Sequence, residues 1–292
     1  MNLSSRTIVR SIIAATACCS IVLQEPPKAM AATLNSGWNY GIDSFNDGVS
    51  GLQIGGNQFE FYGIAIKQTV DQTFIAINAN LPLTGSPNAI AERGNISYGD
   101  LFFNFSDKNF KSASDVASLF AIRFADSNDS PVATGVYSNV TAKSTTATND
   151  GFSTLSRYNT RVQSGGGTPS MGDLSATDPY FEQNGPILNS IAAGTKVGEI
   201  SFLNPAALSA IGLNFGQFNA TGSQTIGFSF DKSAMPSGSY VANLFAECAN
   251  DAIAIKGEFE AVPEPSTMFG TLVGLSFLGI GAAKRKIKHK IA

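Results

Sequence analysis

Between residues 32 and 261 the sequence holds twenty Asp or Glu, eleven Lys or Arg, one cysteine and no histidine. The only histidine, His289, lies in the basic C-terminal end. A body without imidazole excludes Ser-His-Asp and Cys-His catalysis as usually built, and His-based zinc or copper sites. A single thiol, Cys248, excludes a multi-cysteine metal site. It continues the Tyr240/Ala242/Leu244/Ala246 face and reads as a buried small hydrophobe. Gly165-Gly166-Gly167 lacks the helix and lysine of a phosphate loop. The acids leave two chemistries open. Paired-carboxylate glycan hydrolysis is one, but no spacing marks a pair. Cation binding by oxygen ligands is the other, with Asp43/Asn46/Asp47 and Asp126/Asn128/Asp129 as the calcium candidates. Neither has the alternation of an EF-hand loop, and Asp and Asn cap backbone N–H groups in tight turns, which is the favoured reading. No catalytic residue, metal ligand or cofactor is therefore expected, with calcium as the minor alternative. Trp38 and Tyr40 have the chemistry to stack on a sugar ring, but fit better as core residues of a first strand.

The elements that must carry these residues have a period of two. Thr73, Ile75, Ile77, Ala79 and Leu81 form one face of a strand. Leu101/Phe103/Phe105, Phe120/Ile122/Phe124, Ile226/Phe228/Phe230 and Ile253/Ile255/Phe259 repeat the pattern. A phase change at Gly63 predicts a bulge. Asn46-Asp47-Gly48, Gly85-Ser86-Pro87 and Met235-Pro236-Ser237-Gly238 punctuate the runs, and Asn250-Asp251 predicts the turn between the last two strands. The expected fold is all-β, an antiparallel sandwich or jelly roll, with short helices at Pro205–Ile211 and Ser112–Ser118. Residues 141–186, rich in Thr, Ser, Gly, Asn and Asp, predict a long mobile loop within one domain.

Both ends differ from this body. Arg6 and Arg10, the apolar run Ile12–Leu23 and the small residues Ala29 and Ala31 read as a secretory signal spanning 1–31, with a signal helix and cleavage after Ala31. At the other end Val262-Pro263-Glu264-Pro265-Ser266 is held extended by its prolines. Residues 267–283 carry no charge and, as a helix, cover about 26 Å, slightly under a hydrocarbon core of ~30 Å. Lys284, Arg285, Lys286, Lys288 and Lys290 then form a basic cluster that the positive-inside rule keeps cytoplasmic. The body thus lies outside the inner membrane. Its formal charge of −9, against −3 for all 292 residues, opposes nucleic acid and anionic lipid as partners.

The tail over 262–292 resembles the PEP-CTERM sorting signal: Pro263-Glu264-Pro265, a Gly-rich apolar run and a terminal basic cluster, in that order. The resemblance implies recognition of Pro263, Glu264 and Pro265 by an exosortase, a membrane-embedded peptidase that removes the tail and passes the protein to the cell surface or extracellular polysaccharide. Gly37-Trp38-Asn39-Tyr40 and Glu247-Cys248-Ala249-Asn250-Asp251 also look like a family of cyanobacterial exosortase-dependent surface proteins of unknown activity. The function expected is that of a noncatalytic structural or adhesive surface protein, with a secreted carbohydrate-binding module or carboxylate-dependent hydrolase as the alternative. The expected partners are the Sec machinery, the exosortase, the membrane before processing, and exopolysaccharide.

Overall fold

The computed structural model describes residues 33–261. The signal segment with Ala29 and Ala31, the residues Pro263, Glu264 and Pro265, the transmembrane run 267–283 and the basic cluster Lys284–Lys290 lie outside the described residues. Among the described residues no helix is long and apolar enough to cross a membrane.

Twelve strands form two six-stranded antiparallel sheets. In chain order they are β1 (Thr33–Asn35), β2 (Trp38–Ile42), β3 (Phe61–Gln68), β4 (Gln72–Ala79), β5 (Leu101–Asn104), β6 (Leu119–Arg123), β7 (Gly135–Lys143), β8 (Ser190–Gly198), β9 (Ser201–Leu203), β10 (Gln224–Asp231), β11 (Gly238–Phe245) and β12 (Ala252–Phe259). The first sheet runs β1-β2-β3-β4-β10-β9 and the second β8-β7-β6-β5-β11-β12. Consecutive strands stay in one sheet as hairpins. The chain crosses between sheets only after β4, β8 and β10, so the topology is that of a meandering sandwich, not a jelly roll in which successive strands alternate between sheets.

The two sheets share one core. Ile64, Ile66, Ile75, Ile77 and Phe228 of the first meet Phe103, Ile122, Val136, Leu244, Ile253 and Ile255 of the second. Alternation aims these side chains inward. Phe103 is fully buried and packs edge-on to Tyr240 and Phe259 at 5.3 and 5.9 Å between ring centroids. Phe103→Ala is expected to cost about 3–5 kcal/mol in urea unfolding, because the cavity cannot collapse between two sheets.

The outer faces are covered too, which simple alternation does not predict. On the first sheet, helix Pro205–Ala210 and the turn Phe215–Phe218 bury Trp38, Tyr40, Ala65 and Ala76. Pro205 opens that helix and the Asn204 side chain caps it by accepting from the Ala207 N–H. Trp38 and Tyr40 are 0% and 1% exposed, so they are core and offer no platform for a sugar. The bulge falls where expected, with a register shift between Phe61 and Gly63. A Cβ at Gly63 would lie 2.9 Å from the Phe215 ring, so glycine lets this outer layer close.

The second sheet is covered by helix Phe110–Asp115, helix Leu155–Ser164 and the hairpin Ser170–Met171/Leu174–Ser175. The excursion expected over 141–186 thus holds a ten-residue helix and a short hairpin, with irregular chain between them. Leu155, Met171, Leu174 and Phe181 pack with Phe102, Ala121 and Phe245 on the outer face of the sheet. Its polar composition hides this layer, because the few apolar residues are spaced for a helix and short hairpins instead of a strand. Thr154 caps the longer helix by accepting from the Arg157 N–H, and Gly165 ends it. Cys248 is free and fully buried in the main core, as its face predicts, and burial pushes its thiol pKa up.

Candidate functional site

Four acids from three parts of the chain meet under the outer layer. Asp43 follows β2, Asp47 lies in the next loop, Glu60 precedes β3, and Asp251 occupies the turn before β12. All four are buried, Asp43 at 6% and the others at 0% exposure. Asp43, Asp47 and Asp251 each offer a carboxylate oxygen, and these oxygens lie within 4.8 Å of one another. No Lys or Arg among the described residues forms an ion pair with any of the four.

Backbone N–H groups hold the carboxylates in place. Asp43 Oδ1 accepts from Gly172 at 3.1 Å, and Asp47 Oδ2 accepts from Ser170 at 2.7 Å. Both donors belong to the outer hairpin, where Gly172 takes φ +60, a left-handed turn that glycine reaches without strain. Asp251 Oδ2 accepts from the Phe61 N–H at 2.7 Å, while its Oδ1 accepts from the Ala252 N–H and the Tyr158 hydroxyl. Glu60 accepts from the backbone N–H groups of Asp47, Gly48 and Gly56. Two oxygens, Asp43 Oδ2 and Asp47 Oδ1, have no hydrogen-bond partner.

Burial is the main cause of the electrostatics here. It pushes the Asp43 carboxyl up to about 7, with Glu60 adding repulsion. Asp47 and Asp251 are held well above the usual carboxylate range by burial and then by the charges of their acidic neighbours. Glu60 is raised by burial, and Tyr158 by burial and the adjacent acids.

Of the sequence candidates, Asp43 and Asp47 converge and Asn46 does not. Asn46 Oδ1 instead accepts from the Ser44 hydroxyl and the Thr168 N–H. The partners missed by the sequence reading are Asp251 and Glu60. Glu60 precedes its strand with no turn signal, and Asp251 fits the turn it was assigned. In the second triplet the acids diverge. Asp126 is on the surface, Asp129 accepts from the Asn149 amide, and Asn128 joins Arg123 to the fully buried Asp100. Its residues therefore serve a loop network. Glu247 closes that network by accepting from the Ser97 and Asp129 N–H groups.

Glu247 makes a pH prediction. Burial pushes its carboxyl up to about 7, with the charges of Asp129 and Asp100 adding to the rise. Burial likewise raises Asp173 to about 6, against the pull of Lys256. A raised carboxyl stabilises the fold fully below its unfolded pKa and loses that contribution as pH climbs through the folded value. Stability in metal-free buffer should therefore fall between about pH 4 and 7, the Asp173 part by about pH 6, by up to roughly 3 kcal/mol for each group. Urea midpoints across that range check this; a flat or rising profile contradicts it.

A family model described as the PEP-CTERM protein-sorting motif matches residues 261–286. The chain carries an exosortase sorting signal. It begins two residues beyond the end of β12, so the signal follows the folded body almost without a linker. The motif marks an exported, surface-directed protein with an exosortase as its processing partner. No curated protein and no solved structure matches the chain. The body's resemblance to a cyanobacterial surface family finds no support in these comparisons.

Proposed function

We propose that this chain is a noncatalytic structural or adhesive protein of the cell surface or extracellular polysaccharide. It is exported through the Sec machinery, held briefly in the inner membrane by residues 267–283, and cut near Pro263–Pro265. The observation that carries this reading is the sorting motif at 261–286, directly behind a compact acidic body. The covered sheet faces support it, because Trp38 and Tyr40, the sequence's candidates for a sugar platform, are buried beneath the outer layer. Fractionation with mass spectrometry of the native C-terminus tests the sorting step. A mature chain ending near residue 263 and found outside the inner membrane is expected; one still ending at Ala292 in cells with an exosortase overturns it.

One surface feature favours glycan binding as a second reading. A polar groove of about 540 Å³ is lined by Gly51, Asp150, Ser153, Arg157, Arg161 and Asn250, among others. Arg157 and Arg161 stand one helical turn apart, and Arg161 donates to the Gly51 carbonyl. Two guanidinium groups in an acidic protein suit a carboxylated or sulfated glycan. Saturable binding of one acidic glycan on an array, lost in Arg157→Ala, would make adhesion the primary role.

A further inference from the structure

We infer that Asp43, Asp47 and Asp251 bind one Ca²⁺ ion, which clasps the outer layer of the second sheet to the sandwich. This goes beyond the sorting reading and stands whether or not the tail is cut. Asp43 and Asp47 are at least nine-tenths buried, yet Asp43 Oδ2 and Asp47 Oδ1 accept no hydrogen bond. A buried carboxylate oxygen without a partner forfeits its hydration for nothing in return. These two carboxylates and that of Asp251 bring oxygens within 4.8 Å of one another. Two ligands on opposite sides of one Ca²⁺ stand about 5 Å apart, twice the 2.3–2.6 Å of a Ca–O bond, so one ion can reach all three.

The donor chemistry selects the ion. There is no imidazole in the body and the one thiol, Cys248, is in the main core, so every donor is oxygen. Oxygen-only sets suit hard cations. Mg²⁺ dehydrates reluctantly and demands a near-octahedral shell at about 2.0–2.1 Å, so three converging buried carboxylates suit it less well. Calcium accepts six to eight oxygens in flexible geometry, and carboxylates in bidentate mode with water can complete its shell.

The site's place in the fold states what the ion does. Asp43 also accepts from Gly172, Asp47 from Ser170, and Asp251 from Tyr158 on the long outer helix. One ion therefore joins the end of β2, the start of β12 and, through those bonds, the helix and hairpin that cover the second sheet. An affinity like that of extracellular modules, about 10⁻⁴–10⁻³ M, would fill the clasp only outside the cytoplasm, where a Sec-exported chain folds.

The test uses the full chain in detergent, with CaCl₂ as the probe. Thermal unfolding is followed in chelator, in Mg²⁺ and in Ca²⁺, and titration calorimetry gives the stoichiometry. One Ca²⁺ per chain and a Tm rise of about 3–8 °C at roughly 10 mM Ca²⁺ are expected, with little response to Mg²⁺. Asp47→Asn keeps an oxygen for the Ser170 N–H while removing a charged ligand. It should weaken Ca²⁺ by more than the roughly 10–100-fold lost with an outer-shell partner. Asp43→Asn should do the same. Equal Tm values in Ca²⁺ and chelator for the unaltered chain overturn the inference, as does an equal shift in Mg²⁺. So does a folded Asp47→Asn chain that keeps the full calcium response. The unaltered chain decides the matter even if both variants fail to fold.

Discussion

Changing Pro263, Glu264 and Pro265 together to alanine is expected to abolish release of the protein from the inner membrane. The sorting match spans 261–286 and includes these three residues, two of which are prolines. Alanine restores backbone N–H groups and helix propensity at two positions. The stretch then loses the charge and the proline restriction on which the proposed recognition rests. The expected result is a chain that retains its basic end and fractionates with the inner membrane, against a trimmed chain outside it for the unaltered sequence. The folded body is untouched, so urea unfolding should be the same for both. Normal trimming of the triple variant would mean that the apolar run and basic cluster alone direct processing.

Asp251→Ala is expected to be the most damaging single change among the buried polar residues, at about 3–5 kcal/mol. Its carboxylate accepts from the Phe61 N–H, the Ala252 N–H and the Tyr158 hydroxyl, all buried; alanine orphans the two backbone donors, while the hydroxyl keeps the Asp47 carbonyl as acceptor. Relief of repulsion from Asp43, Asp47 and Glu60 offsets part of this, since those charges help raise the Asp251 pKa. Asp251→Asn, which retains one acceptor oxygen, should cost roughly half as much. Tyr158→Phe removes only a hydroxyl donor and should cost about 1 kcal/mol. Denaturant unfolding of the three variants in chelator gives the ranking, and equal costs for Asp251→Ala and Tyr158→Phe would show that the two backbone donors find other partners.

Several local features were legible because their cause is local. The bulge at Gly63, the helix opened by Pro205 and the turn at Asn250-Asp251 follow from single residues whose backbone preferences act within a few positions. The buried thiol of Cys248 followed from strand alternation. The helix and hairpin within 141–186 were not legible, because they are short and mostly polar. They owe their stability to Leu155, Met171, Leu174 and Phe181 packing on a sheet formed elsewhere in the chain.

By itself the sequence determined that the body is antiparallel β structure, that it lacks imidazole chemistry, and that its last thirty residues carry a sorting address. Strand period, residue inventory and terminal hydropathy are properties of the linear chain. Only the tertiary structure decided that Asp43 and Asp47 face Asp251 while Asn46 turns away, and that the Asp126/Asn128/Asp129 triplet disperses. Which carboxylates meet depends on strand register and on how a loop after β2 of the first sheet meets the turn before β12 of the second, and no spacing along the chain encodes a distance across a sandwich.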